Sequence, residues 1–379
     1  MKRNKQKLFR TSTVPASLKS FLAGSIEPLM EHYELVLLSS PDKELGELHG
    51  EYGVRTIGVP MERRMAPLKD IVSLWQLIKV FRRERPYMVH SMTPKAGLLC
   101  MMAAWIARVP RRVHTFTGLV WPTASGFSRR ILMFTDWLTC ACATHVIPEG
   151  KGVMDDLQQH ITRKSMRVLG YGNVRGVDMG YWNQKNVDEE QVKSLRKEGV
   201  FTFVFVGRIV RDKGINELVE AFMRVHEKHS IRLVLVGRFE DRLDPISDDA
   251  RKIIEECDDI VYAGAQYGKD LLAYYAAADC FVFPSYREGF PNTVLEAGAM
   301  GLPSVVTDIN GSREIIENGK NGLIIPSKDV EALTVAMNRM VEDLDMRQQM
   351  SRNARPMIAS RFEQNFVRKC QMEFYDEIM

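Results

Sequence analysis

Short β-branched and aromatic runs alternate with longer stretches of helical period along the whole chain. Candidate strands in the first half are Leu8–Val14, Glu34–Ser39, Val54–Val59, Met88–Ser91, Arg112–Phe116, His145–Pro148 and Met166–Leu169. In the second half they are Thr202–Gly207, Arg232–Gly237, Ile260–Ala263, Cys280–Pro284, Ser304–Thr307 and Gly322–Pro326. Several are apolar throughout (FVFVG, LVLVG, FVFP), as strands covered on both faces must be. Strands alternating with helices imply parallel sheets built from right-handed crossovers. The alternation weakens over 181–199, where WNQKNVDEEQVKSLRKEG is polar and charged. The pattern therefore predicts an N-terminal domain at 1–180, a linker at 181–199, a C-terminal domain at 200–360 and a closing helix at 361–379 that packs back on the first domain. Each α/β domain would be doubly wound and Rossmann-like, with ligands at the strand C-termini and the two ligand edges facing across a cleft.

Composition narrows the class. The 379 residues are 45% apolar and 26% charged, which excludes a disordered or collagen-like chain. The net charge of +4 hides an asymmetry: 27 basic against 18 acidic residues through Glu190, then 25 against 30. A basic first half points to an anionic surface or substrate. The six cysteines show no C-x-x-C spacing, so buried thiols in a reducing compartment are expected rather than zinc or redox sites. The opening MKRNKQKLFRTSTV lacks the apolar core of a secretory signal. The apolar run GLLCMMAAWIA is about half the ~20 residues a spanning helix requires. These features predict a cytoplasmic protein that touches a membrane without crossing it. Within 62–85, Ile71, Leu74, Trp75, Ile78 and Phe81 recur at helical spacing among Arg63, Arg64, Lys69, Lys79, Arg82, Arg83 and Arg85. That helix reads as a stripe packed on the sheet, as a basic face for an anionic leaflet, or as both. The apolar stretch around 129–142, which contains Asp136, is expected to be buried.

Two segments carry candidate chemistry. After the strand ending at Val206, Gly207 lets the chain turn sharply, and Arg208 and Lys213 follow within GRIVRDKG. Two cations at strand ends can clamp a diphosphate, Arg through a bidentate fork and Lys as a point charge; a solvated basic loop is the alternative. After the strand ending at Pro284 comes SYREGFPNTVLEAGAMGLP, where Gly289 turns, Pro291 presets the backbone and a helix opens near Asn292 or Thr293. Its first N–H groups make an anion site. Glu296, about one turn into the helix, can reach the same cleft as Glu288. Two carboxylates beside a helix N-terminus suit a sugar nucleotide: acceptors for hydroxyls, donors for phosphates.

The Glu288-x7-Glu296 pair in EGFPNTVLEAGAMGLP, with G-R-x-x-x-x-K-G upstream, resembles the signature of retaining family-4 glycosyltransferases of the GT-B fold. TSTVPASLKSFL, HSMTPKAGLL, HTFTG, PEGKGV and GNVRGVD extend the resemblance over essentially the whole chain. The T-P-K-A-G segment is similar to the branch that builds capsule, O-antigen and exopolysaccharide repeat units on a lipid carrier. The resemblance implies a hexose-type transfer, with retention, from a nucleotide-diphosphate donor (a UDP-sugar favoured over a GDP-sugar) to a polyprenyl-diphosphate-linked saccharide. It implies that Arg208 and Lys213 stabilise the leaving diphosphate, Glu288 contacts the donor sugar and Glu296 holds the ribose. Gly207 and the amides of Gly289, Phe290, Asn292 and Thr293 would complete the donor site. Arg208, Lys213 and Glu288 would thus be the catalytic set, without a protein nucleophile.

No bound cofactor and no metal are expected, in keeping with a sequence that has no D-x-D at a plausible strand end and no His/Cys ligand cluster. Thr13, Lys95 and Thr117 are the candidate acceptor contacts. Thr117 stands where many members carry a His, and His114 reads as a strand histidine. Thr93 reads as a helix cap with Pro94 at the first position. The enzyme would work peripherally on the anionic inner face of the cytoplasmic membrane, with no nucleic-acid partner. Two other classes remain open: a non-hydrolysing UDP-sugar epimerase of similar fold, and a non-catalytic GT-B scaffold subunit.

Overall fold

A computed structural model describes residues 5–63, 65–241 and 244–379; Arg64 of the basic helix lies outside the described residues. The chain divides into two compact units, Met1–Gly176 with Gln364–Met379, and Val177–Glu363. In the first unit six strands, β1 (Lys7–Thr11), β2 (Glu34–Ser39), β3 (Arg55–Gly58), β4 (Met88–Met92), β5 (Arg111–Phe116) and β6 (His145–Pro148), form one parallel sheet in the order β3-β2-β1-β4-β5-β6. In the second, β7 (Phe201–Val206), β8 (Ile231–Val236), β9 (Ile260–Gly264), β10 (Cys280–Phe283), β11 (Ser304–Thr307) and β12 (Gly322–Ile325) are ordered β12-β11-β10-β7-β8-β9. Both orders describe the same winding. The chain leaves the middle strand to one side and returns to its other side, at β1/β4 and at β7/β10. These reversals open a crevice beyond the strand C-termini, where α/β proteins bind ligands.

The apolar runs form strands because alternate side chains fill two separate cores. In the first sheet Phe9, Val36 and Val89 face one layer of helices, while Leu8, Leu35 and Met88 face the other. The first layer contains helices Pro67–Glu84, Pro94–Ile106, Gly126–Cys142 and Lys151–His160. The second contains the short N-terminal helices and Gln364–Ile378, through Leu18, Leu29, Leu45 and Tyr375. In the second unit Ile215, Leu218, Val219, Phe222 and Val225 keep helical spacing and are fully buried beside β7. Each such burial stabilises by about 1.5–3 kcal/mol.

Four expectations change. Met166–Leu169 is not a strand; only Met166 bridges to Val146. The polar stretch 181–199 lies inside the second unit instead of linking two domains. Its Asp188 side chain accepts from the Glu190 amide at 2.9 Å and caps helix Glu189–Leu195, and Gln184 Nε2 donates to the Met300 carbonyl at 3.0 Å. A solvated surface helix is polar too, so the composition misled. The closing helix begins only after a break at Glu363; before it, helix Leu344–Phe362 belongs to the second unit. Finally, helix Gly126–Cys142 is not buried as a whole, because Phe127 and Phe134 are exposed at 77% and 58%.

Candidate functional site

The crevice at β7/β10 gathers most of the predicted donor residues. Beyond β7 the chain makes a short helical turn over Arg211–Lys213 that ends at Gly214, whose φ is +71°. A Cβ there would lie 2.1 Å from the Pro284 carbonyl oxygen, so this turn can sit against the end of β10 only because the residue is glycine. The close approach aligns Asp212 with the loop after β10. The Asp212 carbonyl accepts from the Tyr286 amide at 2.8 Å, and its carboxylate accepts from Arg287 Nε at 2.8 Å. On the loop's other side, Gly311 has φ +75°, and a Cβ would lie 2.4 Å from the Gly289 carbonyl oxygen. The loop carrying Glu288 is therefore held between two glycine contacts.

Within that frame Lys213 Nζ donates to Glu288 Oε1, and Ser285 Oγ donates to the same oxygen at 2.9 Å. The Lys213 ammonium also lies 5.3 Å from the centre of the Phe283 ring. Neither partner is free in water: the side chains of Lys213 and Glu288 are 14% and 16% exposed. Helix Asn292–Ala299 starts four residues beyond Glu288, with Pro291 at its N-cap and half-buried Asn292 and Thr293 in its first turn. The Phe290 ring packs on Phe362 at 5.3 Å, so Phe290 offers the crevice its backbone alone.

Two predicted donor residues stand differently. Glu296 is 6% exposed, and Tyr275 Oη donates to it at 3.4 Å. Burial, with the Glu296 charge adding, raises the Tyr181 pKa. Arg208 is 52% exposed and pairs with Glu240 Oε2 at 2.8 Å instead of joining Lys213 and Glu288. Sequence reasoning missed Ser285, Asp212, Tyr275 and Glu240. Asp212 and Ser285 had a usable signal, Asp212 adjoining Lys213 and Ser285 opening the loop three residues before Glu288; Tyr275 and Glu240 had none.

In the first unit the candidate acceptor residues Thr13 and Lys95 lie at β1/β4 with local partners, while Thr117 stands apart beyond β5. Thr13 Oγ1 lies 2.9 Å from Thr93 Oγ1 and accepts from the Ala96 amide at 3.3 Å. Thr13, from the neighbouring connection, thus caps helix Pro94–Ile106, whereas Thr93 supplies no side-chain cap. Thr93 holds φ +70°, an outlying conformation for a β-branched residue. Lys95 does not stand alone in the crevice, because it is paired with Asp70 of helix Pro67–Glu84. That carboxylate offsets the unfavourable position of a cation in a first helical turn. Thr117 is half-buried beyond β5 and makes no side-chain hydrogen bond among the described residues. His114 is a packing residue. Its ring lies over Gly97, where a Cβ would come within 2.3 Å, its Nδ1 bonds Ser91 Oγ at 2.8 Å, and burial lowers its pKa to about 3.

A "Glycosyl transferase 4-like domain" model matches residues 26–172, and a "Glycosyl transferases group 1" model matches residues 186–357. The chain belongs to the glycosyltransferases of the GT-B fold. It is 29% identical to the capsular polysaccharide biosynthesis glycosyltransferase CapM of Staphylococcus aureus, covering 96% of this chain and 94% of that one. It is 27% identical to the UDP-Gal:α-D-GlcNAc-diphosphoundecaprenol α-1,3-galactosyltransferase of Escherichia coli, covering 93% and 92%. Among solved structures, Anabaena Alr3699/HepE in complex with UDP is similar in fold, with a TM-score of 0.79 at 18% identity, over 98% of this chain and 100% of that one.

Proposed function

We propose that the protein transfers a hexose-type sugar, with retention, from a nucleotide-diphosphate donor to a polyprenyl-diphosphate-linked saccharide in bacterial surface-polysaccharide assembly. The observation that carries this reading is the Lys213–Glu288–Ser285 cluster at β7/β10, next to the first turn of helix Asn292–Ala299. A UDP-sugar is favoured over a GDP-sugar, in line with the UDP-Gal and diphosphoundecaprenol named for the Escherichia coli relative.

In the proposed reaction the bond from the anomeric carbon to the donor phosphate breaks and the diphosphate leaves with the electron pair. An acceptor hydroxyl bonds that carbon from the same face and gives its proton to the departing phosphate. Negative charge grows on the diphosphate, so the useful groups are preorganised cations and amides. Lys213 would exchange Glu288 for the phosphate, Arg208 would leave Glu240 to join it, and the amides of Gly289, Asn292 and Thr293 would receive the remaining oxygens. Glu288, relieved of Lys213, would accept from a sugar hydroxyl. Glu296, steadied by Tyr275, would accept from the ribose. No cofactor and no metal are required in this scheme.

The test is acceptor-dependent release of nucleoside diphosphate by purified protein across UDP- and GDP-sugars, with and without EDTA. Product with retained anomeric configuration is expected, unaffected by EDTA. Donor consumption without any acceptor would overturn the reading in favour of an epimerase. No donor binding by calorimetry would favour a scaffold subunit.

A further inference from the structure

The two sides of the helix layer at 67–142 differ in an unusual way. Its inner side packs on the first sheet through Leu77, Phe81, Leu99, Ala103 and Cys140. Its outer side is also apolar. Of the sixteen exposed large hydrophobic side chains among the described residues, ten fall between Met65 and Trp137. On helix Pro67–Glu84 they are Leu68, Ile71, Val72 and Trp75, spaced as one outward stripe, with Leu68 82% exposed. On helix Gly126–Cys142 they are Phe127, Phe134 and Trp137, again on one face, and the last two rings stack at 5.7 Å. Helix Pro94–Ile106 lies between these two, packed against both, and adds exposed Trp105. All three helices cover the same face of the sheet, so their outer stripes point the same way.

The exposed charge on these three helices is basic, and the exposed Glu62 just before them is paired with Lys69. Lys79 sits over the Trp75 ring, 3.2 Å from its centre, and Arg82, Arg83, Arg129 and Arg130 are exposed on the same two helices. The carboxylates of these helices are engaged or turned in: Asp70 pairs with Lys95, Glu84 with Lys7 and Arg55, and Asp136 is half-buried. A second copy of the chain docked here about a two-fold axis would oppose basic rim to basic rim. An anionic leaflet complements both the apolar stripe and its rim. No helix among the described residues is long and apolar enough to cross a bilayer, so the surface would lie in the interface.

We propose that this outer helix face is the docking surface for an anionic lipid bilayer, with the Leu68–Trp75 stripe and Phe127, Phe134 and Trp137 entering the headgroup region together. It deepens the lipid-linked-acceptor reading above, on which it rests, by naming where the protein meets the lipid.

The test is cosedimentation of the full chain with vesicles of phosphatidylcholine alone or mixed with phosphatidylglycerol, at low and high salt. Binding is expected to the anionic vesicles at low salt only. It should fall by about tenfold or more in each double variant, Ile71→Glu with Trp75→Glu and Phe127→Glu with Phe134→Glu. Tryptophan quenching by brominated lipids should likewise fall in Trp75→Phe and in Trp137→Phe. The proposal is overturned if wild type ignores anionic vesicles at low salt, if both double variants bind undiminished, or if the wild type is a dimer that these variants dissociate. Transfer to a short-chain, water-soluble diphosphate-linked saccharide separates the two readings. Transfer without vesicle binding removes the docking surface alone; vesicle binding without transfer removes the reaction alone.

Discussion

Lys213 shows how one side chain serves two states. Without a donor its charge is balanced by Glu288 in a pocket where neither group is well hydrated. A diphosphate brings more negative charge to the same ammonium, and the exchange leaves Glu288 available to a hydroxyl. Lys213→Ala should therefore lower kcat/KM by about 100- to 1,000-fold, as loss of one preorganised charge donor does elsewhere, and a thermal melt should separate this from unfolding. A second residue-scale prediction concerns Asp136. Burial raises its pKa from 3.8 to about 7, so the folded chain holds a proton there that the unfolded chain releases. Stability should fall as pH rises from about 4 to 7 and level off above. Asp136→Asn removes this term, and urea unfolding at pH 8 should show it about 2–4 kcal/mol more stable than wild type, with the difference vanishing near pH 4.

Elements decide whether those side chains can meet. The turn Arg211–Lys213 and the loop of Glu288 come from strands that are neighbours in the sheet but far apart in sequence, and Gly214 fixes their spacing. Gly214→Ala should cost about 2–4 kcal/mol, from the left-handed backbone and the approach to Pro284. Because Lys213 moves with that turn, donor affinity should weaken as well; calorimetric titration with UDP checks this, and unchanged affinity would detach the turn from the site. Continuous apolar strands such as β7, β8 and β10 were legible because both faces are covered, and the Glu288 loop because turn residues and a helix start mark it. Arg208 was read as a clamp partner, yet its pairing with Glu240 depends on the course of a separate loop, which no local pattern reveals. Helix Gly126–Cys142 was misread for another reason: periodicity reports that a stripe is apolar, not whether protein covers it. Lys95 likewise looked unpaired in sequence because its partner Asp70 lies on a different helix.

At the scale of the whole molecule the chain crosses between its units twice, and the second crossing delivers helix Gln364–Ile378 to the first sheet. There Arg10 of β1 is buried with no carboxylate partner among the described residues. Its Nη1 donates to Tyr375 Oη at 2.7 Å and its Nη2 to Met92 Sδ at 3.1 Å. Burial, then the Arg10 charge, drives the His90 pKa well down, so His90 is neutral. Since Tyr375 Oη accepts from Arg10, its own proton goes to His90 Nδ1 at 2.5 Å, and His90 Nε2 then donates to Thr115 Oγ1 at 2.7 Å. One hydroxyl near the end of the chain thus completes a network joining β1, β4 and β5, across 365 residues of sequence in the Arg10 contact. Tyr375→Phe keeps the ring contacts with Tyr33 and His90 but leaves both the guanidinium and the imidazole short of a partner. The cost should be about 2–4 kcal/mol, the penalty for stranding a buried charged donor rather than for losing an ordinary hydrogen bond. Urea unfolding measures it, and hydrogen exchange locates it: amides of Gln364–Ile378 and β1 should open earlier than those of β7 and β8. Equal protection in both units would show that hydrophobic burial of Phe374 and Ile378 alone holds the returning helix.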